Sequence, residues 1–323
     1  MAEIPELRSP IVDAIYALWE QNDAPRDAVR VRMSGLGHAC ERALWYQFRW
    51  VAHPERFDGR MLRLFDRGSR EEAVFARELR GLGVDLITHT RDGQQLSAAF
   101  AGGHVFGYLD GVAREGVPGA EKSAHVVEFK THGAKSFARL VKEGVGKAKP
   151  DHMAQMQIYM HVSAYGRALY LAVNKDTDEL YAERVAYDAA AGAALEAKAL
   201  RVVKADAPPP RLHDDPNGKM AWECKGCPAR AVCHEGAAPR QTCRSCVHAT
   251  AVTEGEGGRW RCEKHRREIS TEWQRDGCPS YLMLPSLVDG EPIAADPDAN
   301  TITYRRADGV EFTLGGADGT GAV

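Results

Sequence analysis

The sequence predicts an α/β (α+β) chain: a core of interleaved helices and strands, followed by a small C-terminal metal-binding module. Two observations carry this expectation. Over the first two-thirds of the 323 residues, short apolar runs alternate with longer segments of helical periodicity. Beyond the linker Ala207-Pro208-Pro209-Pro210, seven of the eight cysteines fall into two clusters with metal-ligand spacing.

Bulk properties bound the function. A chain of 323 residues can bury a full core and carry a second small unit. With 44% hydrophobic and 27% charged residues, its composition is that of an ordinary soluble protein. No apolar run approaches the roughly 18 residues of a membrane span. The amino terminus lacks a basic-then-apolar export pattern, which predicts a cytoplasmic protein without membrane partners. In a reducing compartment, clustered cysteines bind metal more often than they form disulfides. The net charge of −3 makes no global case for nucleic-acid binding. Between residues 25 and 80, however, there are 12 arginines, no lysine and 8 acids. That stretch reads equally as a phosphate-contacting surface or as a solvated one.

Residues 11–21 have helical periodicity. Ser34, Gly35 and Gly37 make a loop leading into a helix at 40–50, whose apolar face is Leu44, Trp45 and Phe48. Residues 58–82 form a long helix with Leu62, Leu64, Phe65, Val74, Phe75 and Leu79, ended by Gly81 and Gly83. Gly68 in it would allow another backbone to approach. Glu71 and Glu72 project about 100° apart, so one of them faces the sheet. Residues 84–90 and 94–100 read as short strands. Residues 105–109 and 125–129 read as neighbouring strands across a turn-prone segment, 114–123. The Lys- and Gly-rich stretch 131–150 reads as a flexible loop. From Asp151 runs an amphipathic helix with Gln155 and Tyr159 on one face. Residues 167–173 form a buried strand with 180–187 as its hairpin partner, and 189–204 an Ala-rich helix. Near the end, 301–305 and 310–314 flank Asp308-Gly309 as a small hairpin. Residues 315–323 read as a disordered tail.

One stretch carries chemistry. Asp110 and Glu128 each stand near the end of an apolar run, and a hairpin would bring them together. Lys130, two positions after Glu128, points the same way. Two carboxylates and a lysine suit a divalent cation that activates water for phosphodiester hydrolysis. Glu72 could add a third oxygen. The plainer reading is a strand ending in exposed charges and an Asp-Gly turn.

The series Gly68-x3-Glu72, GYLD with Asp110, EFK with Glu128 and Lys130, and Gln155-x3-Tyr159 resembles the motifs of the PD-(D/E)XK nuclease superfamily. The order is most similar to its RecB-like and YqaJ (lambda-exonuclease-like) branches, over about residues 33–233. The resemblance implies a restriction-endonuclease-like mixed central sheet flanked by helices, dependence on Mg2+ or Mn2+, and DNA cleavage. It implies that Asp110, Glu128 and the Phe129 carbonyl bind metal, joined by Glu72. It makes Lys130 catalytic, and places Gln155 and Tyr159 at the site against substrate. RecB-like members often carry His where Glu72 falls. Glu there is closer to the lambda-exonuclease branch, and Glu71 remains the alternative.

The first cysteine cluster, Cys224-x2-Cys227-x5-Cys233, supplies three thiolates. A fourth ligand could be His234 or Cys40. The segment SGLGHACER around Cys40 resembles the start of iron–sulfur RecB-like nucleases, CRISPR-associated and AddB-type. That resemblance implies a [4Fe–4S] cluster on Cys40, Cys224, Cys227 and Cys233, with Zn2+ as the alternative. In the second cluster, Cys243, Cys246 and Cys262 have zinc-ribbon-like spacing, with Cys278 as the fourth thiolate and His265 as the alternative fourth ligand. Few aliphatics lie between 241 and 283, so Zn2+ could stand in for a core there.

These expectations divide the chain into a nuclease domain at 1–236, a zinc-ribbon-like module at 237–285, and a hairpin and tail at 286–323. They describe a metal-dependent deoxyribonuclease, an exonuclease of recombination, repair or phage replication in a bacterial or phage-infected cell. DNA, as single strands or duplex ends, would be its substrate, and recombination or replication proteins its partners. The competing reading is a non-catalytic DNA-end-binding scaffold that keeps the same fold.

Overall fold

A computed structural model of the protein describes residues 9–23 and 27–316. The N-terminal two-thirds of the chain contains helices α1 (Pro10–Asn22), α2 (Glu41–Phe48), α3 (Gly59–Gly81), α4 (Ala134–Ala148), α5 (Pro150–Ser163) and α6 (Ala189–Lys204). Its strands are β1 (Val31–Arg32), β2 (Leu86–Ile87), β3 (Ser97–Phe100), β4 (Val105–Tyr108), β5 (Gly111–Ala113), β6 (His125–His132), β7 (Arg167–Asn174) and β8 (Leu180–Ala186). Local signals place several ends. The Asp58 side chain accepts the Met61 N–H at 2.7 Å and starts α3. Asp188 does the same for α6, accepting from Ala190 and Ala191. Pro150 occupies the first turn of α5, where its missing N–H costs nothing.

The central sheet is mixed, in the order β2-β5-β6-β7-β8, with β6 and β7 parallel and the other pairs antiparallel. Helices flank both faces, as expected. Phe75, Ala76 and Leu79 of α3 pack on Val127, Phe129, Leu169 and Val173 on one face. On the other, Val126, Ala168, Tyr170 and Ala172 meet Met156, Ile158 and Met160 of α5, with α6 and α2 behind. Successive residues of β6 thus feed opposite cores, as a strand buried on both faces must.

Two expectations are corrected. The neighbours of β6 are not the residues of the VFGYL run. That run forms β4, which belongs to a separate sheet in the order β1-β4-β3. The chain crosses between sheets at Leu109 and Asp110, and only the next three residues, β5, pair with β6. The stretch 131–150 is not a loop. It holds α4, whose Phe137, Leu140, Val145 and Ala148 are buried. Gly144, at φ 74° and ψ 168°, breaks the helical conformation near its end.

After α6 come two short helices, α7 (Trp222–Lys225) and α8 (Arg230–His234). The second cysteine segment forms an antiparallel sheet of β9 (Ala249–Ala251), β10 (Trp260–Cys262) and β11 (Arg267–Ile269). Trp260, Ala249 and Ile269 belong to the same apolar cluster as Leu44, Trp45 and Phe48 of α2. The hairpin around Asp308-Gly309 is present as β13 (Thr301–Arg305) and β14 (Glu311–Gly315). A further strand, β12 (Glu291–Asp296), pairs with β13. Of the expected tail, residues 317–323 lie outside the described residues, and Gly315 ends β14. No described helix is long and apolar enough to cross a membrane.

Candidate active site

The site forms where the sheet is incomplete. The pairing of β5 with β6 ends at Gly111 opposite Val127, whereas β6 runs on along β7 through His132. Beyond Val127 one edge of β6 therefore lacks a strand, and its N–H groups need other acceptors. Asp110 meets that need: its Oδ2 accepts the Phe129 N–H at 2.8 Å. The residue that leaves one sheet for the other is thus fixed beside Glu128 by the gap it borders.

Glu128, Lys130 and His132 share the β6 face that looks toward α5. Glu128 is buried, pairs through Oε1 with Lys130, and accepts from Gln155 Nε2 at 2.9 Å through Oε2. Tyr159 is also buried, and its hydroxyl donates to the Tyr108 carbonyl at 2.7 Å. It braces the turn that delivers Asp110. From the other side, α3 presents Glu71 and Glu72 to a cavity of about 280 Å³. Its further lining includes Gly68, Phe75, Lys130, His132, Lys149 and His152. No atom lies within 4 Å of a Cβ built on Gly68, so this glycine borders open space and packs against no other backbone.

Electrostatics tie four of these groups together. Burial, then repulsion by Asp110, pushes the Glu72 carboxyl up to about 7. Burial also raises Glu128 to about 7, against the lowering pull of Lys130. Asp110 is raised by burial as well. Burial pulls Lys130 down, but the carboxylates of Glu128 and Asp110 outweigh it and hold the ammonium above its ordinary range. Glu71 also lines the cavity.

Three carboxylates around one lysine leave negative charge in excess, and a divalent cation fits that donor set. Among the described residues, no three His, Cys, Asp or Glu side chains converge into a ready-made cage. Mg2+ does not require one, because it keeps several waters and takes one or two carboxylates.

The cavity's far wall was not read from the sequence. Tyr170 Oη lies 2.8 Å from His132 Nε2 and 2.9 Å from His152 Nδ1. Lys149 Nζ donates to Ser136 Oγ at 2.6 Å beside them. Burial, helped by Lys149 and Lys130, pushes His132 down to about 4. It pushes His152 down to about 3, helped by Lys130. Both imidazoles are therefore neutral near pH 7. Spacing did hold the signal: His132 follows Lys130 by two on a strand, and His152 precedes Gln155 by three on a helix.

All eight cysteines are free. Cys40, Cys224, Cys227 and Cys233 line one cavity together with His38 and His234. Cys243, Cys246, Cys262 and Cys278 line another with His265, whose Nε2 is 3.8 Å from Cys278 Sγ. Burial, then the neighbouring thiols, raises Cys224 and pushes Cys243 up to about 11. Thiols gathered this way resist ionisation, and among the described residues neither set converges into a ready-made metal cage.

The family model of the PD-(D/E)XK nuclease superfamily matches residues 5–234. The chain belongs to that superfamily. Among solved structures it is similar to the crystal structure of SSO0001, with a TM-score of 0.42 and 14% identity over 71% of this chain and 98% of that one. It is also similar to an alkaline exonuclease (LHK-Exo) from Laribacter hongkongensis, with a TM-score of 0.39 and 17% identity over 58% and 89%. The same exonuclease in complex with dAMP gives a TM-score of 0.38 and 16% identity over 58% and 89%. No curated protein matches significantly.

Proposed function

We propose that this nuclease is a Mg2+- or Mn2+-dependent deoxyribonuclease that acts as an exonuclease in DNA recombination, repair or phage replication. The observation that carries the reading is the buried Glu128–Lys130 pair with Asp110 fixed across the strand gap. Asp110, Glu128 and the Phe129 carbonyl would hold the ion, with Glu72 as third acid. The Glu72 carboxyl, raised by burial and by Asp110 against the pull of Lys130, supports its place in the set. Held there, such an ion would lower the pKa of an attacking water and offset phosphoryl charge. Lys130 stays cationic, so its part is to position the attacking water and offset charge building on phosphorus. Gln155 fixes the Glu128 carboxylate, and Tyr159 fixes the backbone before Asp110.

The same reading assigns a [4Fe–4S] cluster, or Zn2+, to Cys40, Cys224, Cys227 and Cys233. It assigns Zn2+ to Cys243, Cys246, Cys262 and Cys278, with His265 as the alternative to Cys278. Residues 1–236 are then the nuclease domain, 237–285 the zinc-ribbon-like module, and 286–323 the terminal hairpin and tail. The protein would work in the cytoplasm on DNA ends, alongside recombination or replication proteins. Cleavage of linear, end-blocked and circular DNA with Mg2+ and with Mn2+ tests this. Degradation confined to linear DNA with free ends is expected. Cleavage of the circle would contradict exonuclease action.

A further inference from the structure

Helix α3 carries more than the acids of the cavity. Arg60, Arg63, Arg67 and Arg70 recur at intervals of three, four and three residues, which puts them along one side of the helix. All four are exposed. With Leu64 they line an open groove of about 440 Å³. Of the four, only Arg70 has an ion-pair partner among the described residues, Asp66 at 3.0 Å. Arg67 donates to the Lys175 carbonyl at 2.7 Å, and Arg63 lies over the Trp19 ring at 5.9 Å. A solvated helix face stabilises itself by alternating acids and bases at i, i+4. This face instead stacks like charges, which repel each other and weaken the helix unless an anion neutralises them. Its C-terminal end reaches Gly68, Glu71 and Glu72, which line the active-site cavity.

We propose that this arginine stripe is the track for the phosphodiester backbone of the nucleic-acid strand being cut, where it runs between solvent and the cavity. The proposal rests on the nuclease reading and adds to it where the strand lies. A guanidinium fork matches phosphate oxygens and ignores base identity, so the track is sequence-independent. From Arg60 to Arg70 it is about 15 Å long. The other arginines of the same sequence stretch do different work. Arg49, for example, is buried and donates to the carbonyls of Ala205 and Ala249.

The test is the salt dependence of binding to a labelled single-stranded oligonucleotide, measured on the full chain with the divalent ion omitted. Each phosphate contact contributes about 0.7 to the slope of log K against log salt. The triple variant Arg60→Gln/Arg63→Gln/Arg67→Gln is expected to lose about 2 from that slope. The unaltered protein should then lose about 20-fold more affinity than the variant between about 50 and 200 mM salt. In cleavage the variant should show a raised KM with kcat retained at saturating substrate. The corresponding Arg→Lys variant keeps the charge and should restore the slope, which separates lost contacts from a damaged helix. An unchanged slope in the Gln variant, or no recovery in the Lys variant, would overturn the track. If the unaltered protein cleaves nothing yet shows and loses the slope in this way, the track stands and the nuclease reading falls.

Discussion

Two adjacent glutamates on α3 show how much one helical position decides. Glu71 and Glu72 both border the cavity, and the Glu72 carboxyl is raised by burial and by Asp110 against the lowering pull of Lys130. Glu72→Gln removes an oxygen donor while keeping size, and is expected to lower kcat about 100-fold. Glu71→Gln should stay near the unaltered rate. The two variants, assayed at saturating Mg2+, check this, and equal losses would contradict the assignment. One turn earlier, Gly68 faces open space within its helix. Gly68→Ala is expected to raise stability by about 0.5–1 kcal/mol in urea unfolding, because alanine loses less backbone freedom on folding. A loss of stability would mean that the position is already crowded. The sequence singled out Asp110, Glu128 and Lys130 by spacing and Glu72 and Gln155 by resemblance; the structure puts Asp110 on the Phe129 N–H and Gln155 on the Glu128 carboxylate, with Glu72 and Lys130 lining the cavity. His132, Lys149 and His152 were overlooked because each lies within a segment already explained as strand end, loop or helix start.

At the scale of elements, legibility depended on whether a signal was local. The Ala-rich run 189–204 matches α6 residue for residue, because composition and the Asp188 cap both act within the segment. Helix α4 was hidden because lysines and glycines dilute the 137, 140, 145 and 148 positions that it buries. The division of one apolar run from the next three residues between two sheets was not legible at all. An apolar strand looks the same whichever sheet receives it, and only non-local pairing decides. Strand β12, exposed at all six residues, offers no alternation to read.

One contact between elements has a pH signature. His104, just before β4, is fully buried, packs edge-on against Phe48 and Trp260, and its Nε2 sits 3.0 Å from the Arg259 carbonyl. Burial, then Arg244, pushes its pKa down to about 4 from the ordinary 6.5. The folded state keeps this imidazole neutral while the unfolded chain takes up a proton below pH 6.5. Stability is therefore full above about pH 6.5 and falls as pH drops toward 4, by about 3 kcal/mol from this group. Urea midpoints measured from pH 7 to pH 4.5 should show this fall together with those of His132 and His152, and His104→Gln should make it shallower. An equally steep fall in the variant would place the titration elsewhere.

At the scale of the whole molecule, the C-terminal cysteine segment is built into the nuclease core. Arg244, between Cys243 and Cys246, is buried and donates to the carbonyls of Phe48 and Val29, each at 2.9 Å. It also lies over the rings of Trp50 and Trp260. The Zn2+ proposed at Cys243 and Cys246 would therefore position a residue that organises the tryptophans around α2. Stripping metal with a chelator under reducing conditions should lower the thermal midpoint and shift tryptophan emission to longer wavelength. Emission and midpoint that do not move would contradict a structural metal there. The sequence flagged the thiol spacing, but it did not show that this knuckle points its arginine into the neighbouring core.

The proposed function stands or falls with Asp110, Glu128 and Lys130 as a metal-dependent phosphodiesterase site. The most direct measurement is single-turnover cleavage of end-labelled linear DNA, with Mg2+ titrated, by the unaltered protein and by Lys130→Ala. The expected result is Mg2+-dependent cleavage that falls about 100- to 1,000-fold in Lys130→Ala while DNA binding persists. Cleavage of equal rate in the variant, or none in the unaltered protein at any Mg2+ concentration, would contradict it.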